Sequence, residues 1–180
     1  MTSLRNLGSF CLLASLSMLA LGCGPASPTA SSSGPSAEGA AYIHEAEPAA
    51  PKEVKAARAG AGDGEEVAVV GRIGGDTNPW VEGQAAFLLV DSVLKPCNEK
   101  DDDACTTPWD YCCDYDTLPE HKIMVKLVDA QGETVATGAR ELLGVKELQT
   151  VVVHGNAKRD EAGNLDMGQK THKIATRNSL

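Results

Sequence analysis

Positive charge, aromatic rings and long apolar runs are all scarce in this chain of 180 residues. The formal net charge is -9. Nucleic acid is therefore an unlikely partner, because its phosphates demand clustered Lys and Arg. Charge alone would not hold the chain on an anionic membrane either. The apolar run from Leu7 to Leu21 is too short and too interrupted for a stable membrane span. A Gly-x-Ser-x-Gly elbow and a His-Glu-x-x-His helix are both missing, so the two most legible hydrolase readings lack support. The sequence names no catalytic residue and implies no cofactor. Aromatics make up 4% of the chain, and Trp80, Trp109, Tyr111 and Tyr115 hold most of them, in loop segments.

What is present begins with a secretory layout. A short polar start carries one basic residue, Arg5, and the apolar run follows, closing on Leu19-Ala20-Leu21-Gly22-Cys23. This stretch resembles the lipobox of bacterial lipoproteins, in which apolar and small residues precede the cysteine that receives the lipid. The resemblance implies removal of residues 1–22 and acylation of Cys23. It also implies a protein held at a membrane outside the cytoplasm, with each buried methylene contributing ~0.8 kcal/mol of anchoring. Gly24 rather than Asp follows the cysteine, which in lipoprotein sorting points to the outer membrane.

From Gly24 to about Gly64 the chain is rich in Ala, Ser, Pro and Gly, and reads as a disordered tether spanning residues 23–64 with the lipidated cysteine. Within it, Lys52 to Arg58 has the composition for a helical turn or two. The folded unit is expected from residue 65 to 176. Glu66–Gly74, Gln84–Asp91, His121–Asp129, Leu148–Gly155 and Leu165–Ala175 read as strands. Thr134–Thr137 forms a short return and Arg140–Leu143 one helical turn. In the third strand Ile123, Val125 and Leu127 alternate with Lys122 and Lys126, the pattern of a half-buried strand.

These short strands with little helix predict an all-β fold, a small antiparallel barrel or sandwich. Val69-Val70-Gly71-Arg72-Ile73 and Val151-Val152-Val153-His154-Gly155, with a helical break between them, make the region resemble an OB-fold. Gly71 would let the first strand bend around a narrow barrel. The region is also similar to uncharacterised secreted bacterial proteins, a likeness that supplies no activity.

The distinctive segment is the insertion from Ser92 to Glu120. It carries Cys97, Cys105, Cys112 and Cys113, a spacing of Cys-x7-Cys-x6-Cys-Cys. In an oxidising compartment the default reading is two disulfides. A bond between Cys112 and Cys113 is disfavoured by geometry. Cys97 then pairs with Cys112 and Cys105 with Cys113, or the reverse, and closing a loop of about 15 residues adds ~3 kcal/mol of stability. The alternative is a zinc or copper site using these four thiolates with His121. Asp101, Asp102, Asp103, Asp110, Asp114 and Asp116 crowd the same loop without EF-hand spacing, and read as a solvated acidic face.

The functional expectation is a lipid-anchored envelope module that binds a partner protein, an envelope polymer or a small ligand through its loops. Trp80, Trp109, Tyr111 and Tyr115 are the candidate contacts. A metal-handling role for the cysteine loop is the alternative.

Overall fold

The structure is a computed structural model that describes residues 34–101, 105–161, 164–168 and 173–177. Cys23, the leader and the tether up to residue 33 lie outside the described residues, as do Asp102 and Asp103.

Five strands close into a barrel: β2 (Glu66–Ile73), β3 (Ala86–Val90), β4 (Lys122–Lys126), β5 (Thr150–Arg159) and β6 (Leu165–Met167). β2 pairs antiparallel with β3, and β3 antiparallel with β4. β4 then runs parallel to β6, β6 antiparallel to β5, and β5 back along β2 to complete the ring. Two further strands extend it. β1 (Lys52–Glu53) lies parallel to β2, and β7 (Lys173–Thr176) runs antiparallel to the first half of β5. The helical turn α2 (Ala139–Leu143) falls between β4 and β5, where the sequence places it. This is the expected all-β, OB-like barrel with a cysteine-rich insertion, here between β3 and β4.

The pleat explains the core. Along β4 Ile123 and Val125 are buried while Lys122, Met124 and Lys126 are half-exposed, which is the predicted alternation. Phe87, Leu89, Val69, Val151 and Val153 fill the interior with them. At Gly71 β2 runs hard against β3. A Cβ there would sit 2.6 Å from the Val90 carbonyl oxygen and 2.7 Å from Leu89 Cγ, so only glycine lets β2 pass this close to β3.

Order reaches further back than Glu65. Helix α1 (Val54–Gly60) buries Val54 and Ala57, and Ala61 just beyond its end is buried too, a stripe at helical spacing inside the main core. Its first turn is held by the buried Asp91, whose Oδ2 accepts the Lys55 amide at 2.8 Å. Arg58 donates to the Lys122 carbonyl at 3.0 Å. Further upstream, Ser36 donates from its amide to the Leu142 carbonyl, and Ile43 bridges Ile174 in parallel. Residues 34–64 are rich in small residues, yet Val54, Ala57 and Ala61 are buried in the core and Tyr42 and Ile43 pack against it. The predicted last strand divides at Gly168: β6 stops at Met167 and β7 begins at Lys173.

Candidate functional site

The insertion between β3 and β4 is clasped at its base, where the Asp91 amide donates to the His121 carbonyl at 2.8 Å. Among its described residues four single turns of 3-10 helix form: Cys97–Glu99, Pro108–Asp110, Cys112–Asp114 and Leu118–Glu120. Its footing is apolar. Tyr111 is fully buried and packs with Val90 and Leu118, flanked by Leu94 and Leu148. Burial pushes the Tyr111 phenol up to about 12, partly countered by the nearby Arg72 charge. To enter this pocket Tyr111 adopts the left-handed conformation, with φ 57°. Gly74 makes room beneath it. A Cβ at that position would meet the Trp109 carbonyl oxygen at 2.6 Å and Tyr111 Cε2 at 2.9 Å. The Gly75 amide then donates to the same Trp109 carbonyl at 2.7 Å, fixing the loop to the end of β2.

That seating brings three sulfurs and one carboxylate together. Cys97 Sγ lies 3.6 Å from Cys112 Sγ, and Cys105 Sγ lies 4.0 Å from Cys112 Sγ. Asp110 Oδ1 is 3.8 Å from Cys97 Sγ and 4.0 Å from Cys105 Sγ. One ligand atom from each of Cys97, Cys105, Asp110 and Cys112 falls within 4.8 Å of all the others. Cys97 is buried, Cys105 and Asp110 are half-buried, and Cys112 is exposed, so the cluster opens at the surface.

The expected disulfides are not at bonding distance. An S–S bond needs about 2.05 Å, and the sulfurs of Cys97 and Cys112 stop at 3.6 Å. A tetrahedral zinc ion with Zn–S bonds of about 2.3 Å instead spaces its sulfurs about 3.8 Å apart. The observed separations of 3.6 and 4.0 Å bracket that edge.

Asp110 is the member that sequence reasoning left among the solvated carboxylates. Its Oδ2 accepts the Thr107 hydroxyl at 2.9 Å and its Oδ1 accepts the Cys112 amide at 2.9 Å. Burial raises its pKa, but these donors outweigh burial and hold the carboxyl below the usual range. The signal for it was local: Thr107-x-x-Asp110 and Asp110-x-Cys112 are the spacings of side-chain-to-backbone turns. The Cys112 thiol is pushed up by its contacts with Cys97 and Asp110, and the Cys97 thiol by burial.

The remaining candidates sit elsewhere. His121 is buried with Asp91 and Lys55: its Nδ1 is 3.8 Å from Asp91 Oδ2, and its Nε2 is 3.4 Å from Lys55 Nζ. It is outside the sulfur cluster. Cys113 is exposed and also stands outside the convergent group, although both its amide and its thiol hydrogen-bond Cys97. Asp114 pairs with Lys100 at 2.6 Å, which raises the lysine's pKa and places a cation beside the thiols.

No family model, curated protein or solved structure matches this chain. The site has to be read from its own geometry.

The four aromatics each have their own place. Trp80 pairs with β3 opposite Phe87, donates to Glu147 Oε1 at 2.8 Å and carries the Arg140 guanidinium 5.0 Å above its ring. Trp109 donates to the Thr77 carbonyl at 3.1 Å. Tyr111 is buried, and Tyr115 is 77% exposed. Three of the four tie segments together, while Tyr115 faces outward.

Proposed function

We propose that this chain is a lipid-anchored cell-envelope binding module whose OB-like barrel carries a thiophilic metal ion in the loop between β3 and β4. The anchoring half rests on Leu19-Ala20-Leu21-Gly22-Cys23, which places an acylatable cysteine directly after an apolar leader. The binding half rests on one observation, the convergence of Cys97, Cys105, Asp110 and Cys112 at tetrahedral edge distances. Cysteines destined to pair would also gather their sulfurs, but pairing would not turn the Asp110 carboxylate toward two of them. The barrel supplies rigidity through buried Tyr111, and the exposed Cys112 leaves an entry path from solvent.

The test is a titration of the reduced full chain with zinc or cuprous ion. One equivalent bound, and none after Cys97→Ser combined with Cys112→Ser, supports the reading; no stoichiometric binding overturns it. Anchoring is tested separately by fractionation. Cys23→Ser should move the protein out of the membrane fraction, and continued acylation or membrane retention would remove the lipoprotein reading.

A second reading draws on the same distances. Cys105 and Cys112 Sγ lie 4.0 Å apart and Cys113 hydrogen-bonds Cys97, so oxidation in an oxidising envelope would pair Cys105 with Cys112 and Cys97 with Cys113. The loop would then be a stapled scaffold, presenting Tyr115 to a protein or polymer of the envelope. The redox state of the thiols in the purified protein separates the two.

A further inference from the structure

We infer that the cysteine loop selects a divalent ion of the zinc class over cuprous copper, with Asp110 as the fourth ligand and Cys113 outside the set. This rests on the metal-binding reading above. The discriminating atom is Asp110 Oδ1. It stands 3.8 and 4.0 Å from the sulfurs of Cys97 and Cys105, on the fourth corner of the group. Zinc accepts carboxylate oxygen alongside thiolates, at about 2.0–2.2 Å. Cuprous ion favours soft thiolate and thioether donors and gains little from a carboxylate.

Asp110 is also oriented before any ion arrives. The Thr107 hydroxyl holds one oxygen and the Cys112 amide the other, at 2.9 Å each. Such outer partners fix a ligand's direction and tune its basicity. Charge points the same way. Three thiolates and a carboxylate amount to four negative charges, of which a divalent ion offsets two and a monovalent ion one. Lys100, beside the thiols but paired with Asp114, screens part of the remainder.

Cys113 contributes differently. Both its backbone amide and its thiol hydrogen-bond Cys97, while its sulfur stays outside the four convergent ligand atoms. Serine at this position keeps a hydrogen-bonding hydroxyl and should therefore leave the site intact. His121 lies against Asp91 and Lys55, with its Nε2 3.4 Å from Lys55 Nζ, and is not among the four convergent ligand atoms.

The experiment sets zinc against cuprous ion on the reduced full chain, using competing chromophoric chelators, with cobalt(II) as a spectroscopic stand-in for zinc. Wild type should bind one zinc and show a tetrahedral cobalt spectrum. Asp110→Asn, which keeps an acceptor for the Cys112 amide, should weaken zinc by about tenfold or more, shift the cobalt bands and leave cuprous affinity unchanged. Cys113→Ser should behave as wild type, with far-ultraviolet circular dichroism confirming the fold of both variants. Unchanged zinc affinity and cobalt spectrum in Asp110→Asn would overturn the inference. So would a Cys113→Ser loss as large as that of Cys112→Ser. Tight cuprous binding with zinc excluded would overturn the selectivity while leaving metal binding in place. Failure of both ions to bind would overturn the function itself.

Discussion

Tyr111 couples the barrel to the loop, and two substitutions there are expected to differ in sign. Its ring is fully buried among Val90, Leu118 and the neighbouring Leu94 and Leu148. Truncating a buried aromatic to Ala removes its transfer free energy and leaves a cavity, at a cost of about 3–5 kcal/mol. Tyr111→Ala should lower stability by that amount in urea unfolding and should unseat the loop, so metal affinity falls with it. Tyr111→Phe keeps the ring and deletes only the hydroxyl. That oxygen is buried near the Arg72 guanidinium but makes no hydrogen bond of good geometry among the described residues, a burden of about 1–3 kcal/mol by itself. Tyr111→Phe is therefore expected to be neutral or stabilising by about 1 kcal/mol, with metal binding unchanged. A loss of more than about 1 kcal/mol in Tyr111→Phe would mean that the hydroxyl has a partner in solution and would refute the reasoning.

Three other outcomes follow from the packing. Gly71→Ala forces a Cβ to within 2.6 Å of the Val90 carbonyl oxygen, and the crowded β2–β3 crossing should lose about 1–3 kcal/mol in chemical denaturation. Asp91→Ala deprives the Lys55 and Val93 amides of their acceptor. It should cost about 1–3 kcal/mol and expose α1 to faster hydrogen exchange, whereas equal exchange in both proteins would remove Asp91 from that role. A chain beginning at Glu65 lacks the buried Val54 and Ala57, and should melt lower than one beginning at Gly34; identical melting would show that α1 adds nothing to the barrel.

The barrel was legible because its signals are local and repeated. Lys122 and Lys126 alternate with Ile123 and Val125, and the Val-rich run around Val152 is flanked by turn residues. α1 was not, because its buried stripe is one valine and two alanines within an Ala/Gly-rich stretch whose composition argues for a tether. β5 extends to Arg159, four residues beyond the expected end at Gly155, because its second half finds β6 as a partner after β7 is left behind. At the site, the cysteines and the insertion were visible from spacing alone. Which of them converge was not. Cys97 meets Cys112 only after Tyr111 turns the chain through a left-handed residue and Gly74 makes room for it. Asp110 was hidden among six loop aspartates, and its proximity to sulfur depends on the Thr107 and Cys112 contacts that turn it inward.

The most direct measurement is the intact mass of the protein purified from a bacterial envelope without reductant, recorded natively and again after alkylation with and without a chelator. The account predicts the mass of one bound metal ion in the native spectrum. It also predicts that Cys97, Cys105 and Cys112 take up alkyl groups fully only once the chelator has removed the ion. A metal-free chain two disulfides lighter by hydrogen, unalkylated at all four loop cysteines with or without chelator, would contradict it and make the loop a stapled scaffold.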